Sequence, residues 1–139
     1  MRRLPLAAWL LLLFPFVSAG CRNTPLPEEA RVDRDVAAGE RIFQRKCASC
    51  HNSNGDGRTV VAGHFPYANL VDGVWRSDGS PAAIENQIRN GRDPMPRFEG
   101  KLTDEEIRQT VEYVEALSHS SQAAASQRAT GAPAAPSAP

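Results

Sequence analysis

This chain of 139 residues has few aromatic side chains, few cysteines and no net charge. Only 6% of the residues are aromatic, and there are 10 glycines and 11 prolines, which argues against a large, self-sufficient hydrophobic core. Sixteen basic residues balance sixteen acidic ones, so a nucleic-acid-binding protein with a basic surface is disfavoured. Three cysteines are too few for a disulfide-rich scaffold. The composition therefore allows one small domain, and local motifs must indicate its function.

The first 20 residues have the three-part pattern of a secretory signal peptide. A basic start (residues 1–3) is followed by an apolar run (residues 4–17) and by a stretch of small residues (18–20). The apolar run contains two prolines and is shorter than the roughly 18 residues that a membrane-spanning helix needs. Residues 1–20 are therefore predicted to be a signal peptide that directs export.

Cys21 follows the small residues directly, and the segment resembles the lipobox of bacterial lipoproteins, with Ser18 where leucine is usual. The alternative is ordinary cleavage after Ala19, which would leave Cys21 as a free thiol. Because an unpaired cysteine at an exported N-terminus otherwise has no role, acylation of Cys21 is favoured. Acyl chains would tether the protein to a membrane surface without spanning it. Residues 21–34, rich in proline and charge, are predicted to be the lipid-anchored linker.

Apolar periodicity and capping residues predict three helices in the rest of the chain. The first covers residues 36–46 with Asp35 as its N-cap, and the second covers residues 81–90. The last begins at a capping box formed by Thr103 and Glu106, which precedes an apolar stripe at helical spacing.

The helical pattern ends near Ser118. Residues 119–139 consist largely of alanine, serine and proline and are predicted to be a disordered tail. Residues 35–118 are then predicted to be the only domain. A domain this small has only marginal stability unless a bound cofactor or another stabilising element completes its core.

The sequence Cys47-Ala48-Ser49-Cys50-His51 is the CxxCH motif of covalent c-type haem attachment. Two thiols at this spacing lie on one face of a helical turn and can bond to the two vinyl groups on one edge of a porphyrin, with His51 directed at the iron. A zinc site would need two more ligands at paired spacing, a thioredoxin-like dithiol would need a βαβ pattern, and a disulfide would leave His51 unexplained. The motif therefore predicts one haem c on Cys47 and Cys50, with His51 as an iron ligand.

Met95 is the candidate for the second axial ligand of the iron. Met1 belongs to the signal peptide, so Met95 is the one methionine of the predicted mature chain, and the prolines on both sides of it restrict its backbone. A thioether ligand raises the reduction potential relative to two imidazoles. The alternatives are that Met95 fills core space, that His64 ligates the iron, or that the position is open.

Several motifs together resemble a class I cytochrome c. They are Gly39-Glu40-Arg41-Ile42-Phe43, the CxxCH, Met95-Pro96 and the last helix with Tyr113. Asn69-Leu70, Asp72-Gly73, Trp75, Gly79-Ser80 and Gly91-Arg92 are most similar to the cytochrome c subunit of cbb-type haem–copper oxidases. The resemblance implies an all-α fold of three to four helices wrapped round one covalent haem.

The same resemblance implies further contacts. The Gly39/Phe43 face should cross the last helix near Tyr113, and a proline carbonyl should accept a hydrogen bond from the second nitrogen of His51. Pro66 is the nearest match, although the oxidase subunits have proline where this chain has Ala68. Trp75 and Arg92 are candidates for N–H donors to a haem propionate, with simple packing and a solvated loop charge as the alternatives.

The predicted function is single-electron transfer on the periplasmic side of a bacterial membrane, not enzymatic catalysis. Donors would be a quinol-oxidising complex or a dehydrogenase, and acceptors an oxidase or a reductase; no nucleic-acid partner is expected. The alternatives are a dedicated haem subunit of one periplasmic complex, or a haem sensor or catalyst in which the sixth ligand is labile.

Overall fold

The computed structural model describes residues 27–63, 65 and 67–131, and four helices lie in them. They are α1 (Glu28–Lys46), α2 (Ala48–His51), α3 (Pro81–Asn90) and α4 (Asp104–Thr130). Extended structure in these residues is limited to two isolated bridges, one of which pairs Arg92 with Met95. None of the described helices has the length and apolar character needed to cross a membrane. The predicted all-α fold of three to four helices is confirmed.

Helix α1 begins at Glu28, eight residues before the predicted start, so the prediction of a linker is wrong for residues 28–34. Two acidic residues occupy the first turn, where the helix dipole favours negative charge. Arg31 pairs with Glu28 one turn earlier on the same helix. These local interactions extend the helix through a segment that lacks apolar periodicity. Residues 21–26 of the predicted linker and the predicted signal peptide lie outside the described residues.

Asp35 lies inside α1 and is not its N-cap, so that prediction is also wrong. Its side chain is 1% exposed and accepts hydrogen bonds from Arg108 of α4 at 2.7 Å and from Arg34 at 2.9 Å. The hydrogen bond from Arg108 is the main reason that the pKa of Asp35 lies below its usual value. The carboxylate therefore remains ionised and fastens α1 to α4.

Helix α4 ends at Thr130, so the prediction of a disordered tail is wrong for residues 119–130. This segment contains no proline or glycine, and alanine is the best helix former, so the α-helix continues from the packed part of α4. Gly131 ends it in the left-handed conformation, with its backbone N–H bonded to the carbonyl of Gln127. Residues 132–139 of the predicted tail lie outside the described residues.

The core forms where α1 crosses α4. Gly39 is buried there, and a Cβ atom at this position would overlap the carbonyl of Gln109 and lie 2.9 Å from Cβ of Tyr113. Phe43 packs against Tyr113, with ring centroids 5.2 Å apart, and Ile107 is completely buried. The expectation that the Gly39/Phe43 face crosses the last helix near Tyr113 is confirmed.

Helices α3 and α4 begin at the caps that the sequence predicts. Ser80 accepts a hydrogen bond from the N–H of Ala83, and Thr103 and Glu106 form both bonds of a capping box. The buried side chains of α3, Ile84 and Ile88, join the same core as Phe43. One end of this core opens into a cavity.

Candidate haem site

The CxxCH motif forms a single helical turn at the end of α1. Cys47 closes α1, and its carbonyl accepts hydrogen bonds from the N–H groups of Cys50 at 3.0 Å and of His51 at 2.9 Å. This turn brings Cys47, Cys50 and His51 to the wall of one cavity of about 410 Å³. The volume lies in the range of binding sites for organic cofactors.

Most of the cavity wall is apolar and comes from every described helix. Phe43 of α1, Ile84 and Ile88 of α3, and Val114 of α4 contribute buried side chains to it. The irregular segment between α2 and α3 and the loop after α3 close the remaining sides. The cavity is therefore an opening in the hydrophobic core, and a large, mainly apolar molecule would complete the packing there.

His51 is held by one strong hydrogen bond. Its Nδ1 lies 2.7 Å from the carbonyl oxygen of Ala68. A carbonyl only accepts, so the proton is on Nδ1 and the lone pair is on Nε2. Burial is the main influence on the pKa of His51 and lowers it, which keeps the ring neutral. A neutral imidazole fixed through one nitrogen is the form that binds a metal through the other.

The prediction that Pro66 supplies this carbonyl is wrong, because Ala68 supplies it. Ala68 is buried and directly precedes Asn69-Leu70, the place where the family resemblance implies proline. Any residue can supply a backbone carbonyl, so alanine can serve here as proline would. Pro66 itself lies outside the described residues.

The thiol of Cys47 is unsuited to disulfide exchange. Burial, with a smaller contribution from Cys50, raises the pKa of Cys47 to about 11. A thiol with so high a pKa remains protonated at neutral pH, whereas the attacking cysteine of a dithiol exchanger has a lowered pKa. No group of three or more His, Cys, Asp or Glu side chains comes together among residues 27–63, 65 and 67–131, so the zinc-site alternative gains no support there.

Met95 is fixed by a short turn in the loop after α3. Arg92 and Met95 exchange backbone hydrogen bonds of 3.0 and 2.7 Å. Gly91 begins this turn with φ of 65°, and a Cβ atom there would lie 2.6 Å from backbone atoms of Met95 and Arg97. The turn brings the half-buried side chain of Met95 to the cavity that His51 also lines. The competing ligand candidate, His64, lies outside the described residues.

Sequence reasoning missed two groups that contact the candidate ligands. One is the carbonyl of Ala68, which has no side-chain signature. The other is Gln87, whose Nε2 lies 3.5 Å from Sδ of Met95. Gln87 is one turn from both Ala83 and Ile84 and therefore lies on the inner face of α3. Its position in the helix could have indicated that it faces the site.

Trp75 and Arg92 both line the cavity. Trp75 is partly buried and packs against the core, whereas Arg92 is exposed. Their predicted hydrogen bonds to a haem propionate remain predictions.

The residues present match the needs of a covalently bound haem. Two thiols, a neutral imidazole with a free Nε2 and a thioether line one apolar cavity. No described carboxylate lines this cavity, whereas Arg92 does, which suits a ligand that carries acidic groups.

Comparison with known proteins agrees with this geometry. Residues 34–114 match the family model described as cytochrome C oxidase, cbb3-type, subunit III. Cytochrome c6 of Euglena viridis is 34% identical over 77 residues, which cover 55% of this chain and 86% of that protein. Cytochrome c6 of Gracilaria tenuistipitata var. liui is 37% identical over 87 residues, covering 58% of this chain and 70% of that protein. Cytochrome c6 of Bumilleriopsis filiformis is 38% identical over 90 residues, which cover 63% of this chain and 95% of that protein.

The family match covers more than half of the chain, and the relatives are covered over most of their length. The matched segment contains the CxxCH motif, Met95 and the crossing of α1 with α4. The chain therefore belongs to the class I cytochromes c, single-electron carriers with one covalent haem c, bonded here through Cys47 and Cys50.

Proposed function

We propose that this protein is an exported electron carrier whose haem iron is ligated by His51 and Met95. The observation that carries the proposal is the pairing of two ligand groups on one cavity: the free Nε2 of His51 and the sulfur of Met95. His51 and Met95 would hold the iron and leave it no open position for oxygen or peroxide chemistry, so reversible one-electron transfer is the reaction that remains.

The chain's own residues have three tasks in this reaction. Cys47 and Cys50 keep the haem attached, and the carbonyl of Ala68 fixes the orientation of His51. Apolar side chains around them exclude water from the cofactor. When bound, the haem supplies an iron that alternates between Fe(II) and Fe(III). A rigid, dry site limits the rearrangement that accompanies each change of oxidation state.

The proposed location is the periplasmic side of a bacterial membrane. The signal-peptide pattern of residues 1–20 and the lipobox-like sequence that ends at Cys21 support export and acylation. A quinol-oxidising complex or a dehydrogenase would be the donor, and an oxidase or a reductase the acceptor. Docking in such pairs is usually weak and small in area.

A dedicated subunit of one oxidoreductase complex is the second candidate. The matched family model, which is described as an oxidase subunit, favours it. Co-purification with one stable partner in a fixed ratio would support the subunit, whereas recovery as a monomer would support the carrier.

Coordination of the iron tests the carrier function directly. The ferrous protein from cells that mature c-type cytochromes should be low-spin and should not bind carbon monoxide, because both axial positions are filled. Absorption spectra with and without the gas measure this. Rapid carbon monoxide binding would instead indicate a labile sixth ligand and a sensing or catalytic role. A colourless protein, or a pigment that acid–acetone extracts, would overturn the proposal.

If Cys21 carries a lipid anchor, replacing this cysteine should change where the protein is found in the cell. Replacing Cys21 with alanine should move the protein from the membrane fraction to the soluble periplasmic fraction, because the acyl chains have no other attachment site. Immunoblots of the fractions measure this, with Cys21→Ser as a second variant that also lacks a thiol. Retention of both variants in the membrane would mean that the apolar N-terminal segment is not cleaved and itself anchors the protein.

A further inference from the structure

The carbonyl that bonds His51 belongs to a peptide group that packs tightly against Gly57. A Cβ atom on Gly57 would lie 2.7 Å from both the carbonyl carbon of Ala68 and the nitrogen of Asn69, and 3.0 Å from the carbonyl oxygen. Non-bonded carbon atoms in contact are normally at least about 3.5 Å apart. Gly57 therefore lies directly against the peptide group between Ala68 and Asn69, and only a residue without a side chain fits there.

Hydrogen bonds hold Gly57 in place. Its N–H donates to the carbonyl of His51 at 2.9 Å, so Gly57 is bonded to the residue whose ring the Ala68 carbonyl binds. On either side of it, Asp56 accepts a hydrogen bond from the backbone N–H of Arg58 at 2.9 Å. Gly57 has a φ of 69°, a conformation that glycine adopts without strain. Because this loop is fixed, a side chain on Gly57 would displace the peptide group of Ala68.

The residue before Ala68 has an unusual backbone conformation. Tyr67 has a φ of 67°, in the left-handed region that bulky side chains rarely adopt. The guanidinium of Arg76 lies over its ring, 5.2 Å from the centroid, and the N–H of Ala68 bonds to the carbonyl of Phe65 at 3.3 Å. Strained conformations persist where the surrounding structure holds them, and they concentrate at functional sites. Here the left-handed residue immediately precedes the one whose carbonyl bonds His51.

We propose that Gly57 and Tyr67 are positioning residues that aim the carbonyl of Ala68 at Nδ1 of His51. The inference rests on the proposed ligation of iron by His51 and adds the backbone features that control it. A strong hydrogen bond from Nδ1–H makes Nε2 a more basic ligand, and a more basic ligand favours Fe(III) over Fe(II). Gly57 and Tyr67 therefore hold the reduction potential down, and weakening this hydrogen bond should raise it.

Replacing Gly57 with alanine tests the contact with Ala68. Restoring a normal carbon separation requires a shift of about 0.8 Å. A shift of that size along the bond would take the 2.7 Å hydrogen bond of His51 past about 3.2 Å, the upper end of the usual range. Exchange of the His51 Nδ1 proton with solvent, followed by NMR of the ferrous holoprotein, should become roughly ten-fold faster. The equilibrium constant for reduction, from potentiometric titration, should rise about three-fold.

Gly100→Ala is the matched control for Gly57→Ala. Gly100 also has a positive φ, 77°, but a Cβ atom there would have nothing within 4 Å. Both variants therefore place alanine in a left-handed conformation, and only Gly57→Ala moves the peptide group of Ala68. Gly100→Ala should change the proton exchange rate and the reduction equilibrium by less than about two-fold. Equal effects of the two variants would overturn the positioning role of Gly57.

A second pair of variants tests the conformation of Tyr67 and does not depend on the folding of Gly57→Ala. Tyr67 is 44% exposed, so its replacement should leave the core intact. Tyr67→Gly and Tyr67→Val both remove the ring and its contact with Arg76, but glycine adopts this φ freely and valine resists it. Exchange of the His51 Nδ1 proton should be roughly five-fold faster in Tyr67→Val than in Tyr67→Gly, with a higher reduction potential. Equal exchange rates would overturn the role of Tyr67.

The two measurements distinguish failure of this inference from failure of the proposed function. Faster proton exchange in Gly57→Ala with an unchanged potential would support the positioning of His51 and overturn its role as the iron ligand. An unchanged exchange rate would overturn the positioning role and leave the ligation intact. A protein without haem, or without reversible reduction, would overturn the proposed function itself.

Discussion

Replacing Met95 with alanine should lower the reduction potential by on the order of 0.2 V and leave the haem covalently attached. Axial ligands set haem potentials over a range of about 0.8 V, and a thioether stabilises Fe(II) more than water or a nitrogen ligand does. The attachment residues, Cys47 and Cys50, belong to a separate turn at the end of α1, so the loss of Met95 does not remove them.

The surroundings of Met95 indicate what would fill the space that its side chain leaves. Met95 is fixed by its paired backbone hydrogen bonds with Arg92, and the amide of Gln87 lies beside its sulfur. Alanine at this position would leave a gap next to Gln87, which water could fill because the amide offers it a polar partner. The ferric protein should then become high-spin.

Potentiometric titration and absorption spectra of the ferric state measure this prediction. Leu102→Ala is the matched control, since Leu102 is a partly buried side chain of similar size that packs against the core and does not line the cavity. It should lower stability with little change in potential or spin state. An unchanged spectrum in Met95→Ala would exclude Met95 as the ligand and leave His64 as the candidate to test.

Local motifs were predictable because adjacent residues encode them. The CxxCH turn, the Thr103 capping box and the Ser80 cap each depend on residues within one helical turn. The positions of these features in the structure agree with the sequence pattern.

Contacts between distant parts of the chain were harder to predict. Aspartate is a residue type that is common at N-caps, but the main partner of Asp35 is Arg108, which lies 73 residues further along the chain. The hydrogen bond of His51 ends on the carbonyl of Ala68. Because every residue has a carbonyl, the family resemblance, which implies a proline carbonyl, led to the nearest proline, Pro66, instead. Both errors arise because tertiary packing, not local pattern, selects the partner.

Replacing Gly39 with alanine should destabilise the protein by about 3 kcal/mol, although the same change normally favours a helix by up to roughly 1 kcal/mol. The added Cβ atom would overlap the carbonyl oxygen of Gln109 and lie 2.6 Å from its carbonyl carbon. Backbone atoms cannot rotate away as a flexible side chain can, so α1 and α4 would have to separate. The buried contact between Phe43 and Tyr113 would then loosen with them.

Thermal unfolding of the holoprotein measures the effect. A loss of about 3 kcal/mol should lower Tm by roughly 15 °C in a domain of this size. Ala37→Ser, at an exposed position on the same helix, is the control and should change stability by less than about 0.5 kcal/mol. Helix propensity alone would raise Tm in Gly39→Ala, whereas overlap with Gln109 would lower it. The sign of the change in Tm therefore separates helix propensity from steric overlap. A Tm equal to or above that of the natural protein would mean that the two helices do not cross at Gly39, and the core that supports the haem cavity would need a different description.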